Sequence, residues 1–288
     1  AVTAIVLFAA YRIGSKALSN NILRLLAVLA FFAIFALKVP FPYIVLTAAL
    51  IGFLGVQLSP DTFKMRAHHG DGKGTYGPAL IDDDTPIPVH ARFKWSRFVV
   101  FAVVGVSIGL AVMGLLSDNT LRNMGEFFTK AAFVTFGGAY AVLPYIYQGG
   151  VEQYQWLSSV QMMDGLALGE TTPGPLIMVV AFVGFVGAWT KEVFGPDMLL
   201  LAGFVGASVA TLFTFLPSFL FILLGGPGVE ATRGDLKYSA PLSAVTAAVV
   251  GVIINLAVFF AKNVLWPNGG DLDYVATLIG VAAFVALF

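Results

Sequence analysis

The feature that most constrains this chain is a succession of apolar runs, several of them long enough to cross a bilayer. They fall at about Ala1–Ala10, Ile22–Leu37, Val39–Leu58, Phe98–Leu116, Ala131–Tyr147, Gly174–Trp189, Met198–Leu224, Ser243–Ala261 and Tyr274–Phe288. A helix rises about 1.5 Å per residue, so a hydrocarbon core of about 30 Å takes roughly 20 apolar residues. The alternating strands of an outer-membrane barrel, about ten residues each, are not in the pattern. Composition agrees: 58% of the residues are hydrophobic, 11% are charged and the mean hydropathy is +0.88, whereas soluble domains carry about 25% charged residues. The expected fold is an all-α polytopic integral membrane protein.

Charge and side-chain chemistry then remove whole classes of function. The formal net charge is zero, 16 basic against 16 acidic residues, and no basic run tracks phosphates, so nucleic acid is excluded as a partner. Cysteine is absent and the three histidines, His68, His69 and His90, share one polar stretch. Thiolate nucleophiles, Cys-rich metal sites and axial-His haem are thereby removed from the membrane, leaving no cofactor, no metal and no catalytic set for an enzyme. The chain starts at Ala1 and ends at Phe288 inside apolar runs, without an initiator Met. It reads as a fragment lacking the start of a first half.

Between Ser59 and Arg97 the composition shifts to Gly, Pro, Asp and Lys, with no helical or strand period. This linker holds six of the 16 Lys and Arg residues (Lys64, Arg66, Lys73, Arg92, Lys94 and Arg97) alongside five Asp. The positive-inside bias places it on the cytoplasmic side, with Trp95 as an interfacial anchor. It separates residues 1–58, the closing helices of a first half, from residues 98–288, a second half. The string AVTAIV at Ala1–Val6 recurs as AVTAAV at Ala244–Val249, five identities in six, and each copy precedes a polar break and a further apolar run. Such matches among Ala and Val arise by chance, but order and letters together argue for duplication. Two homologous helical halves, arranged as inverted repeats with short, broken helices, are the layout of many secondary transporters.

The most informative stretch is Glu126–Trp189. It carries two interruptions, Gly137-Gly138 followed by Pro144, and Glu170-Thr171-Thr172-Pro173-Gly174-Pro175, each between apolar segments too short to cross comfortably. Backbone freed from a helix inside a bilayer is tolerated only where it is buried in protein or lines a polar cavity, so paired breaks nominate a binding site. The first turn of a helix offers N–H groups without internal acceptors and about half a positive charge, a receptor for oxyanions. Gly138 opening one half-helix and Thr172 capping another would supply two such ends. Thr171 and Thr172 add hydroxyls, Gly137, Gly138 and Gly174 permit close approach, and Thr135 and Tyr140 flank the first break. Lys130, seven residues before Gly137, lies two turns away on the same face if the helix continues, where it would neutralise an approaching anion. Asp164 and Glu170 are the acids most embedded in apolar sequence and are candidates for a titrating, ion-coupling role.

Plainer readings stand beside these. Gly-Gly and Pro-Gly-Pro also serve as packing contacts or extramembrane turns, Lys130 as a snorkelling residue beside Glu126, and the two acids as loop positions. Arg12 and Lys16 read as an interfacial stop or, alternatively, as the lining of an anion path. Asn255, at the place equivalent to Arg12 in the duplicated segment, reads as an interhelical hydrogen bond, and Gly105 with Gly109 as a helix-packing pair. Pro217 is expected to kink its helix, with Thr211 and Thr214 satisfying freed backbone.

The string FTKAAFVTFGGAYAVLPYI at Phe128–Ile146, followed by LALGETTPGPL at Leu166–Leu176, closely resembles the second half of the chromate ion transporter family. Upstream, AVTAIVLFAAYRIGSKAL and VPFPYIVLTAALIGFLG look like the closing helices of that family's first half. The resemblance implies a multi-pass carrier of the bacterial inner membrane that exports chromate, a divalent tetrahedral oxyanion close in shape to sulfate, as a resistance mechanism. Chromate or sulfate and the lipid bilayer are the partners it implies, and a homodimer is a further expectation. One departure is that the first half's own Gly-Gly and Pro-Gly-Pro motifs are not in this sequence. Two alternatives remain: a carrier taking up another anion such as sulfate, and a non-transport scaffold subunit, which would leave the breaks unexplained.

Overall fold

The computed structural model describes residues 2–58, 94–135, 139–172, 174–231, 236–266 and 270–287. Its helices are α1 (Val2–Ala17), α2 (Asn21–Phe35), α3 (Phe41–Leu58), α4 (Trp95–Leu115), α5 (Asn119–Val134), α6 (Ala139–Tyr147), α7 (Ser159–Thr171), α8 (Val179–Thr190), α9 (Leu199–Ala231), α10 (Leu236–Leu265) and α11 (Tyr274–Leu287). A π-helical turn, Gln148–Gln153, follows α6, and 3₁₀ turns precede α8 (Leu176–Met178) and α9 (Pro196–Met198). No strand occurs among the described residues. Trp95–Leu115, Pro196–Gly225 and Ala240–Leu265 are each long and apolar enough to cross a membrane, and shorter apolar helices accompany them. The protein is an all-α membrane protein. Most of the linker, 59–93, lies outside the described residues together with His68, His69 and His90; its final residues enter α4, which begins at Trp95.

Two helices that are not apolar runs begin on polar caps. The Asp118 carboxylate accepts from the N–H groups of Thr120 (2.7 Å) and Leu121 (3.2 Å), which starts α5. Ser158 and Gln161 form a reciprocal capping box that starts α7, with the Gln161 N–H donating to Ser158 Oγ (3.2 Å) and the Ser158 N–H to Gln161 Oε1 (2.8 Å).

Helix α10 is the spine, packed by α1, α2, α3 and α6. Small residues let the backbones close: a Cβ on Gly251 would stand 1.9 Å from the Ala27 carbonyl oxygen of α2. Gly184 of α8 and Gly206 of α9 meet similarly, with a Cβ on Gly184 only 2.4 Å from the Gly206 oxygen. Gly105 seats α4 against Leu220 of α9, which bears out the packing reading of that glycine. The rest of α4 is apolar and just 6% of its span is buried, a surface that lipid can cover. Helix α9 continues through Pro217. The Thr214 hydroxyl donates to the Ala210 carbonyl (2.7 Å) and Ser218 to the Thr214 carbonyl (3.1 Å), so neither hydroxyl serves the Phe213 carbonyl that proline frees.

Four shorter helices form two hairpins. Phe127 of α5 stacks on Tyr145 of α6 (centroids 4.7 Å, 18°), so α6 runs back alongside α5. Gly187, near the end of α8, closes on Trp156, just before the start of α7. Both hairpins open at one face, where Phe127, Tyr145, Tyr154 and Trp156 form an aromatic cluster, and both tips lie at the other end. At about 1.5 Å per residue α6 is roughly 13 Å long, less than half a bilayer core. Its Val142, Leu143 and Ile146 are fully buried, which is the protein surround that interrupted helices require.

Candidate functional site

The tips of the two hairpins meet. Tyr140, on the first turn of α6, donates its hydroxyl to the Glu170 carboxylate in the last turn of α7. The Leu176–Met178 turn that opens α8 also packs against α6. Around the junction are therefore two helix N-terminal ends, of α6 and α8, and two C-terminal ends, of α5 and α7. The N-terminal ends carry the unsatisfied N–H groups and partial positive charge that suit an oxyanion. Helix α1 touches α7, and its Arg12 lies within electrostatic range of the Tyr140 hydroxyl. A charge from residues 1–58 is thus felt at the junction built by residues 98–288.

The threonines are placed differently from the expectation. Thr172 does not open a helix; it is the C-cap of α7, its N–H donating to the Leu168 carbonyl (3.0 Å) and its hydroxyl to the same oxygen (2.7 Å). The 3₁₀ turn that leads into α8 starts four residues later, at Leu176 after Pro175, because the Pro-Gly-Pro segment cannot continue α7. Thr171 donates to the Ala167 carbonyl (3.0 Å) and Thr135 to the Ala131 carbonyl (2.6 Å), so all three hydroxyls are folded back on their own helices. Thr172 and Gly174 border a cavity of about 460 Å³ between α7, α8 and α9, walled largely by carbon from Leu168, Phe182 and Phe204.

Lys130 sits on an exposed face of α5 and pairs with Glu126 one turn earlier, Nζ to Oε2 3.5 Å. Because α5 ends at Val134, the helical spacing that would align Lys130 with Gly137 does not persist. Gly137, Gly138 and Pro173 lie outside the described residues. Asp164 is exposed on α7, six residues from Glu170, and so about 120° around the helix from the face that meets Tyr140. The structure therefore brings together Tyr140, Glu170 and the flanks of both breaks, and sets Lys130 and Asp164 on other faces. Asn255 makes no hydrogen bond to a described residue, contrary to its interhelical reading, and instead lines a pocket with Lys38, Gln148 and Lys262. Sequence reasoning passed over that pocket. Its signal is the polar run QGGVEQ directly after the short α6, where a spanning helix would still be apolar.

Residues 122–288, more than half of the chain, match the family described as Chromate transporter. The chain is similar to a chromate transport protein of Cupriavidus metallidurans, 33% identical over 173 residues that cover 59% of this chain and 40% of that protein. It is similar to a chromate transport protein of Pseudomonas aeruginosa, 37% identical over 139 residues, 47% of this chain and 30% of the relative. An uncharacterized transporter of Bacillus subtilis is 27% identical over 174 residues, 58% of this chain and 79% of the relative. The chain thus spans well under half the length of the two chromate transport proteins. No solved structure matches it. With its matched segment containing both hairpins and their junction, the chain belongs to the chromate transporter family.

Proposed function

We propose that this chain carries the anion-handling half of a multi-pass bacterial inner-membrane transporter that exports chromate. The observation that carries the reading is the hydrogen bond from Tyr140 to Glu170, which ties the two helix breaks into one site with two helix N-terminal ends beside it. A tetrahedral dianion gains there from free N–H groups, from the Tyr140 hydroxyl and from the Arg12 guanidinium. Thr135, Thr171, Thr172 and Gly174 flank the two breaks, Gly137 and Gly138 complete the first of them in sequence, and Lys130, on another face of α5, would act on the anion only before it reaches the junction. Residues 59–97 form the cytoplasmic linker between a first repeat, 1–58, and a second, 98–288.

Glu170 decides how the site is used. At roughly 5 Å and an effective dielectric of about 20, an ionised carboxylate repels a dianion by about 7 kcal/mol. Glu170 therefore takes up a proton, or turns away with release of the Tyr140 hydroxyl, when chromate arrives. The hydroxyl freed from Glu170 then donates to the oxyanion. Outward movement of a dianion from an interior-negative cell gains about 4.6 kcal/mol per 100 mV, about three decades of concentration, so export needs no second driving ion. Proton linkage through Glu170 would add to this.

Radiolabelled chromate flux in proteoliposomes of the full-length protein, under a clamped potential and with sulfate as competitor, tests the reading. Potential-driven chromate flux that Tyr140→Phe and Arg12→Gln each reduce at least tenfold is expected. Flux no greater than in protein-free liposomes would refute it, and sulfate flux at equal rate would reassign the substrate.

A further inference from the structure

At the hairpins' open face, the turn between α2 and α3, the end of α6 and the end of α10 enclose a second pocket of about 420 Å³. Its wall carries Lys38, Gln148, Glu152, Asn255, Lys262 and Asn263. Neither lysine forms an ion pair among the described residues. Lys38 occupies a left-handed backbone position (φ 51°) in the turn that closes α2, where the Val39 N–H donates back to the Ala33 carbonyl at 3.1 Å. Glycine is the favoured residue at such a turn, and a side chain there costs about 1 kcal/mol. Gln148 is oriented by the Phe41 N–H, which donates to its Oε1 (3.1 Å) and leaves the NH₂ end to donate elsewhere. Asn255 adds an amide with no hydrogen-bond partner among the described residues. Asn263 spends its NH₂ on the Phe259 carbonyl (2.9 Å) and offers an oxygen. Glu152 is the one acid in the wall and opposes the two lysines, leaving the pocket one positive charge in excess.

We propose that this pocket is a second anion site, taking a tetrahedral oxyanion group between the Lys38 and Lys262 ammoniums with the Gln148 and Asn255 amides as donors. The inference does not depend on the transport reading. Cations beyond helix C-terminal ends also answer the helix dipole, but that role needs neither a shared pocket nor the Gln148 and Asn255 amides beside them. The two anion sites stand at opposite ends of one half-helix, since Tyr140 begins α6 and Tyr147 and Gln148 end it, about 10 Å away along its axis.

Two sources supply this chemistry, free inorganic oxyanion from water and the phosphate of an anionic lipid. The test is sulfate titration by calorimetry on detergent-purified full-length protein, repeated in nanodiscs of phosphatidylcholine with and without phosphatidylglycerol. The K38Q/K262Q double variant is expected to weaken sulfate binding at this site at least tenfold, K38R/K262R to retain it, and K191Q, at an exposed lysine beyond the end of α8 and outside both sites, to leave it unchanged. If phosphatidylglycerol displaces sulfate from wild type, the site stands with lipid phosphate as its occupant; if it does not, the occupant is the free ion. Wild type that binds no sulfate, or a glutamine variant of matched thermal stability that binds it as wild type does, overturns the proposal.

Discussion

Substituting Gly251 by alanine tests the packing that holds α2, and with it Lys38, against the spine. The new Cβ would lie 1.9 Å from the Ala27 carbonyl oxygen, 2.8 Å from the Ala27 carbonyl carbon and 3.0 Å from the Phe31 nitrogen. All three are backbone atoms of α2, so no rotamer change relieves the clash and the helices must separate by about 1 Å or more. Overpacking of this kind costs about 1–3 kcal/mol, against a gain of about 1 kcal/mol from replacing a helical glycine. The matched control is Gly109→Ala in α4, where the nearest atom is the Leu216 Cδ2 at 3.4 Å, an ordinary contact at the end of a side chain that can swing. Gly109→Ala should be neutral or stabilising by up to about 1 kcal/mol. The two variants should thus differ by about 2 kcal/mol, about thirtyfold in the unfolding constant. Reversible unfolding of the purified protein in mixed detergent and SDS micelles measures the difference. If Gly251→Ala proves as stable as Gly109→Ala, the close approach of α2 and α10 described above is wrong.

Tyr140→Phe and Glu170→Ala each break a hydrogen bond worth about 1.5–3 kcal/mol when the carboxylate is charged, and their effects on unfolding should be non-additive; additive losses in a double-mutant cycle would mean that the pair does not interact. Transport by Glu170→Gln against a pH gradient at zero potential should lose the response shown by wild type, and an identical response in both would exclude a proton-linked Glu170. Lys130→Gln removes an exposed pair one turn apart and should change stability by less than about 0.5 kcal/mol, so a fall in chromate flux at matched membrane levels would report on the anion, and unchanged flux would make Lys130 a surface residue. Burial pushes the Glu152 carboxyl up from its ordinary value while Lys38 pulls it down. The folded chain then binds more protons than the unfolded one between the two pKa values, so stability falls as pH rises through that window. Glu152→Gln should flatten this fall in melting temperature as pH rises above about 4, where an unperturbed glutamate ionises, and a profile matching wild type would contradict it.

The long apolar runs were legible because a bilayer admits few alternatives, and α4, α9 and α10 lie where hydropathy puts them. Helix α7 was not: it buries Met162, Gly165 and Leu166 but also carries Asp164 and Glu170, so it has no apolar run, and only the Ser158–Gln161 capping box betrays its start. The ETTPGP break was readable as a break, yet which side Thr172 belongs to was not. A threonine before proline serves equally as the last residue of one helix or the cap of the next, and here Pro175 delays the second helix. The meeting of Tyr140 with Glu170, 30 residues apart, follows from two hairpins turning at the same level. Lys38 and Lys262 converge from opposite sides of the linker. Neither junction leaves a local spacing, so tertiary geometry alone reveals them.

The account rests on the claim that the joined helix breaks hold the anion. The most direct test is an anomalous difference map at the chromium absorption edge from crystals of the full-length protein grown with chromate. The account predicts a chromium peak beside the Tyr140 hydroxyl, the Arg12 guanidinium and the first turn of α8, with the Tyr140–Glu170 bond opened. Chromium only at other positions, with that bond intact, would contradict it.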